Sequence, residues 1–120
     1  MLVKKLKSHA NGHTEIEFSS GENLLKMGTF CVQVPGKIHS LKPTESLEIP
    51  NEFVAKELKL DPEVDPVEWY LKKKIELGDV ASQFGHPDNI FDPFMDAVGK
   101  FCDYNREMEM RKWQEGSFSP

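Results

Sequence analysis

His9 and His13 are the first residues of the chain whose type and spacing could do chemistry. They flank Ala10-Asn11-Gly12, which reads as a three-residue hairpin loop: a type I turn closed by Gly12 in the left-handed region. The two imidazoles then face one another, and a pair of imidazoles is half of a transition-metal site. No carboxylate or cysteine stands at the spacing of a third and fourth ligand, so the pair reads as two solvated histidines and no metal is expected. Asp92 and Asp96 resemble an acid–base pair, but both lie near a helix N-terminus, where the dipole favours negative charge in any case. His39 and His86 lack the Ser, Cys or Asp companions of nucleophilic catalysis. Gly21, Gly28 and Gly36 are too far apart for a P-loop or dinucleotide fingerprint. Cys31 and Cys102 read as reduced and buried. No catalytic residue, cofactor or small-molecule substrate is expected.

Interface chemistry is better represented. Met108, Met110, Trp113 and Phe118 gather near the C-terminus, and methionine and aromatic residues are enriched at the centres of protein interfaces. Met95 belongs to the same helix, and Trp69 stands off the inner stripe of the helix before it. These six are the candidate partner-binding residues. The same residues would also serve a chain that uses Trp69 as a buried shoulder and its last helix to close its own core.

The elements that must position them divide the chain in two. With the three-residue loop, Leu6 pairs with Ile16 on one face, and Lys7 with Glu15 and Lys5 with Glu17 on the other; a two-residue Asn-Gly turn would mix apolar and charged partners on both faces. Leu24–Val34 reads as the next strand, with Phe30, Val32 and Val34 on one face, Cys31 and Gln33 on the other, and Gly28 at a bulge or bend. Pro35-Gly36 suits a type II turn, Lys37–Leu41 a return strand, and Ser46–Ile49 a strand that Pro50 ends. Five short strands in about fifty residues predict a small antiparallel sandwich or barrel-like module over residues 1–50.

Residues 51–120 read as three helices packed with that module as one α+β domain. Asn51 is the expected cap of Glu52–Leu58, and Asp61–Pro66 a stiff acidic connector. Asp65 then serves as N-cap, Pro66 as N1, Glu68 as the second half of a capping box and Gly78 as C′. Val67, Tyr70, Leu71 and Ile75 line that helix's inner face, with Lys72, Lys73 and Glu76 outside. Asp92-Pro93 opens the last helix, which runs to about Gln114 and spans on the order of 33 Å. So small a core cannot cover that length, and part of the helix should project. Ala97, Val98, Phe101, Tyr104 and Met108 fall within about 80° of Phe94, and Met95, Cys102 and Trp113 widen the apolar arc to about half the circumference. An arc that wide asks for a second partner. Asp103, Arg106, Glu107 and Arg111 form i,i+3 and i,i+4 pairs that support the helix and do no chemistry.

Composition narrows the function classes. The chain has 120 residues, 38% apolar and 29% charged, which fits one soluble globular domain. No apolar run approaches the roughly 20 residues that cross a bilayer, and Met1–Lys7 lacks the core of a secretory signal, so neither membrane insertion nor secretion is expected. The net charge of −5 divides into +1 for residues 1–60 and −6 for residues 61–120. The basic runs Lys4-Lys5-Lys7 and Lys72-Lys73-Lys74 are short, so direct nucleic-acid binding is not expected either.

The string from Pro35 through Gly36, Leu41, Pro43-Thr44-Glu45-Ser46 and Leu47-Glu48-Ile49-Pro50 to Asn51-Glu52-Phe53-Val54 resembles a pattern in small tailed-phage structural proteins. There a β-module closes with a leucine, a Pro-Gly-Glu-Ser-like turn, an alternating strand ending at proline, and an acidic helix start. Thr44 stands here where a glycine is usual, and the likeness covers about twenty of 120 residues. It implies a virion part, in the particle or the host cytoplasm, held by contacts with other subunits in a homo- or hetero-oligomer and not by catalysis. It carries over no functional residue. Two other readings stand beside it: an acidic module that binds or inhibits a host protein, and a small enzyme or metal-dependent factor built on His9 and His13.

Overall fold

Period-two alternation in the first thirty residues becomes three antiparallel strands, β1 (Leu2–Ser8), β2 (His13–Ser20) and β3 (Asn23–Phe30). The computed structural model describes residues 1–30, 33–83 and 85–118, with side chains to Met110. The first turn is the three-residue loop: Gly12 has φ +87°, its N–H donates to the His9 carbonyl at 3.2 Å, and His9 N–H donates to His13 at 2.7 Å. Lys7 faces Glu15 as the parity requires, but the Leu6–Ile16 and Lys5–Glu17 pairs do not form. The register slips by one residue between Lys5 and Lys7, so Lys5 faces Ile16, Lys4 faces Glu17 and Val3 faces Phe18. The slip moves Val3 onto the core face beside Ile16 and Phe18, all three fully buried, and turns Leu6 outward. Lys5 lies on that inner face but reaches past its edge to donate from Nζ to the His39 carbonyl at 2.7 Å.

β3 pairs with β2 without interruption through Gly28, opposite Glu15, so the expected bulge is absent. Its inner face is the odd-numbered one: Leu25 and Thr29 point inward, while Phe30 is 53% exposed. The two-residue Gly21-Glu22 turn ties Ser20 to Asn23, which forces odd-numbered residues of β3 onto the face of Ile16 and Phe18. Val34 is buried beyond the strand, and Cys31 and Val32 lie outside the described residues.

The expected return strand at Lys37–Leu41 is instead a helical turn, α1 (Gly36–His39), in which the Pro35 carbonyl accepts from Ile38 and His39 N–H. After it, β4 (Leu47–Glu48) joins β1 antiparallel, and the described strands make one sheet in the order β3-β2-β1-β4. The architecture is α+β, and among the described residues it has a single sheet in place of the expected sandwich or barrel, with helices and not a second sheet over its inner face.

Those helices are α2 (Asn51–Glu57), α3 (Pro66–Leu77) and α4 (Phe91–Phe118), with a 3-10 turn at Gly78–Ser82. Asn51 does not cap α2. Its Oδ1 accepts from the Met1 nitrogen at 2.6 Å and its Nδ2 donates to Ser20 Oγ at 2.9 Å, which pins the start of α2 to two strand ends. Asp65 does cap α3, accepting from Val67 and Glu68 N–H at 2.9 and 3.4 Å, with Gly78 closing the helix at φ +68°. Glu68 pairs with Lys72 at 2.8 Å. Val67 and Tyr70 are buried as expected, but Ile75 is 86% exposed. The buried face centres on Tyr70, with Pro66 and Leu77 near it and Trp69 on its flank, so the helix is rolled about 75° from the arc the apolar residues suggested.

The cap of α4 is Asn89, three residues before the expected Asp92. Its buried Oδ1 accepts from Phe91 N–H at 2.6 Å and Asp92 N–H at 3.3 Å, and its Nδ2 donates to the Asp92 carboxylate at 2.9 Å. Asn89→Ala is expected to lower stability by about 1–2 kcal/mol and Asp92→Ala by less; equal losses in urea titrations would contradict this assignment. At 28 residues α4 is about 42 Å long. Among the described residues no helix is long and apolar enough to cross a membrane.

Candidate partner-binding surface

α4 is held at its N-terminal half. Phe94 is fully buried and meets Phe18 of β2 and Tyr70 of α3 edge-on at 5.2 and 5.0 Å, while Met95, Ala97, Val98 and Cys102 continue the buried face. Phe53 of α2 packs against Phe101 at 5.3 Å and Tyr104 at 6.2 Å. Two ion pairs add lateral ties, Lys100 to Glu57 at 3.0 Å and Lys37 to Glu109 at 3.1 Å. Both are largely solvated and orient the helix more than they stabilise it.

Beyond Cys102 full burial ends: α2 and α1 still reach α4 at Tyr104 and Glu109, but the side chains from Asp103 to Met110 are exposed or, at Asn105, half-buried. Tyr104, Met108 and Met110 are 53%, 37% and 53% exposed. At 100° per residue, Ala97, Phe101, Tyr104 and Met108 lie within about 60° of one another, so the stripe that is core at Ala97 runs on as surface at Met108. Met110 lies on the far side of the helix.

The six candidate residues are thus placed differently. Met108 and Met110 are on the projecting half; Met95 is buried in the body; Trp69 is half-buried against the core. Trp113 and Phe118 are in α4, but their side chains lie outside the described residues. Tyr104 and Met108 both belong to the stripe expected to face the body; Tyr104 touches Phe53 of α2 there, yet both side chains are largely open to solvent. Helical angle alone cannot say where the body stops.

The residues considered for chemistry are dispersed. His9 Nε2 lies 3.5 Å from Glu15, His13 packs edge-on against Phe30 at 4.4 Å, and His86 Nδ1 accepts from Asp88 N–H at 3.1 Å. Asp92 is engaged by Asn89, and Asp96 lines a groove of about 680 Å³ between α1 and α4 whose other charges, Lys37, Lys100, Arg106, Asp103 and Glu109, are of both signs. Among the described residues, three or more His, Cys, Asp or Glu nowhere converge as metal ligands would. Burial pushes the Cys102 thiol up, more than Lys37 pulls it down, which is the reverse of what an activated nucleophile needs.

No family model, curated protein or solved structure matches the chain. The likeness of Pro35–Val54 to phage structural proteins rests on those residues alone. In the fold they form α1, the turn before β4, β4 itself and the start of α2, so the string encodes how the sheet hands over to the helices.

Proposed function

We propose that the protein is a non-enzymatic assembly subunit that works through contacts with other protein subunits, made by α4 beyond Cys102. The observation that carries this reading is the continuation of a buried apolar stripe into exposed Tyr104 and Met108, with Met110 exposed on the opposite side of the same stretch of helix. Large exposed apolar side chains grouped on a projecting element mark an interaction site. The resemblance of Pro35–Val54, and it alone, supports placing the subunit in a tailed-phage particle as a minor or accessory component.

The test is the combined Tyr104→Ser, Met108→Ser, Met110→Ser variant. Because these side chains meet water in the free chain, its thermal midpoint should stay within about 3 °C of the parent. In gradient-purified particles of the phage that encodes it, the parent chain should appear by mass spectrometry at fixed stoichiometry and the variant should be lost from them. Equal incorporation of parent and variant, or particles complete without the chain, would overturn the reading. A parent chain found instead on one basic host protein, with affinity that collapses in salt, would move the function to a host-targeting inhibitory module.

A further inference from the structure

The sheet has two edges, and they are treated differently. β4 is two residues long and is followed by Ile49, whose N–H is bonded to the Met1 carbonyl, and by Pro50. β3 is eight residues long, with no proline and no bulge. Natural edges are normally blunted by such devices, because unpaired backbone groups recruit another strand. In the two-residue Gly21-Glu22 hairpin, Ser20 and Asn23 form a hydrogen-bonded pair, so the odd-numbered residues of β3 spend their backbone groups on β2. Leu24, Lys26, Gly28 and Phe30 turn theirs outward. The Phe30 N–H is taken by Gln33 Oε1 at 3.3 Å; those of Leu24, Lys26 and Gly28 have no partner among the described residues.

We infer that two copies of this chain pair antiparallel along β3 about a two-fold axis at Met27, joining their four-stranded sheets into one. This interface is separate from the α4 surface. Outward-pointing residues must face outward-pointing residues, which leaves few registers. An axis at Lys26 sets that lysine against itself, and an axis at Gly28 sets it against the partner's Phe30. The axis at Met27 sets Leu24 against the partner's Phe30 twice, covering side chains that are 48% and 53% exposed in the free chain. It also sets Lys26 against the partner's Gly28, which has no side chain. One strand further on, opposite that glycine in β2, stands Glu15. Strands lie about 4.8 Å apart, so the partner's Glu15 is roughly 10 Å from Lys26, a distance that an extended lysine and glutamate span across the bare glycine. Within the chain Lys26 faces Glu17 of β2 and Glu15 faces Lys7 of β1, but among the described residues neither pair closes into an ion pair, and Glu15 is half-exposed with His9 Nε2 at 3.5 Å, so both side chains can reach across the seam. The second copy therefore supplies the apolar cover for Leu24 and Phe30 and a further opposite charge for Lys26.

The test is the oligomeric state of Lys26→Glu and Glu15→Lys, separately and mixed, by sedimentation over roughly 1–200 µM, the range of a small interface. The parent chain should dimerise. Each variant alone places like charges together at two symmetry-related points and should weaken the dimer on the order of ten-fold. An equimolar mixture restores both pairs and should recover parental dimerisation. A monomeric parent, or an undiminished dimer of Lys26→Glu, overturns the proposal. If circular dichroism shows Glu15→Lys unfolded, Lys26→Glu decides alone. A dimer lost in the Tyr104, Met108 and Met110 serine variant but kept in Lys26→Glu would place self-association on α4, ending this proposal while leaving the assembly reading intact.

Discussion

Phe94→Ala is expected to cost about 3–5 kcal/mol of unfolding free energy, read as a lower urea midpoint with an unchanged slope. Phe94 is fully buried where three elements meet, edge-on to Phe18 at 84° and to Tyr70 at 66°. Removing its ring leaves a cavity between the sheet, α3 and α4, and none of the three can close it without breaking its other contacts. Aromatic pairs of this geometry add stability beyond the area they bury. A domain of this size has a total stability of about 5–15 kcal/mol, so the variant should lose a large fraction of it. A loss below about 1.5 kcal/mol would mean that α4 is not seated on the sheet as described.

The second large effect is alkaline. Burial pushes the Tyr70 hydroxyl up to about 12 from an ordinary value of 10.0, with the Asp92 carboxylate adding to the shift. The residue is 3% exposed, so little of this is screened by water. A group whose pKa is raised on folding contributes stability that is complete below its unfolded pKa and lost as pH rises through its folded one. Between pH 10 and 12 the unfolded chain therefore gives up the Tyr70 proton while the folded chain keeps it, and unfolding becomes easier by roughly 2–3 kcal/mol. Lysines titrate in the same window, so the comparison is with Tyr70→Phe. The stability difference between parent and variant should be flat below pH 10 and should move steadily in favour of the variant up to pH 12. A difference independent of pH would show that Tyr70 ionises as freely in the folded chain as in the unfolded one.

Local signals in this chain are decided by neighbouring residues, and long-range ones are not. The Ala10-Asn11-Gly12 loop and the Asp65 and Gly78 caps were legible because each is decided within four or five residues: one backbone angle that glycine tolerates, or one side-chain oxygen near two free N–H groups. Asn51 and Asn89 show where that logic fails. Both are good capping residues, yet Asn51 is spent on Met1 and Ser20, while Asn89 displaces the Asp92-Pro93 pair that looked like the better signal. Which face of β3 is the inner one is not legible from the apolar run Phe30, Val32 and Val34, because it is set by the Gly21-Glu22 turn and by what lies under Leu25. The slip at Leu6 was missed because two registers differing by one residue both leave apolar side chains on the inner face.

The sequence by itself determined the class of the molecule: a stretch of period-two alternation, then helical spacing, then a last helix too long for the core beside it. That follows from side-chain periodicity and chain length, which are properties of the string. Only the tertiary structure decided that one sheet is covered by helices instead of by a second sheet, that Ala97 is core while Tyr104 and Met108 are surface on the same stripe, and that β3 ends the sheet with the backbone groups of Leu24, Lys26 and Gly28 turned outward. Periodicity states which side of an element is apolar; where the neighbouring element stops is settled only by packing.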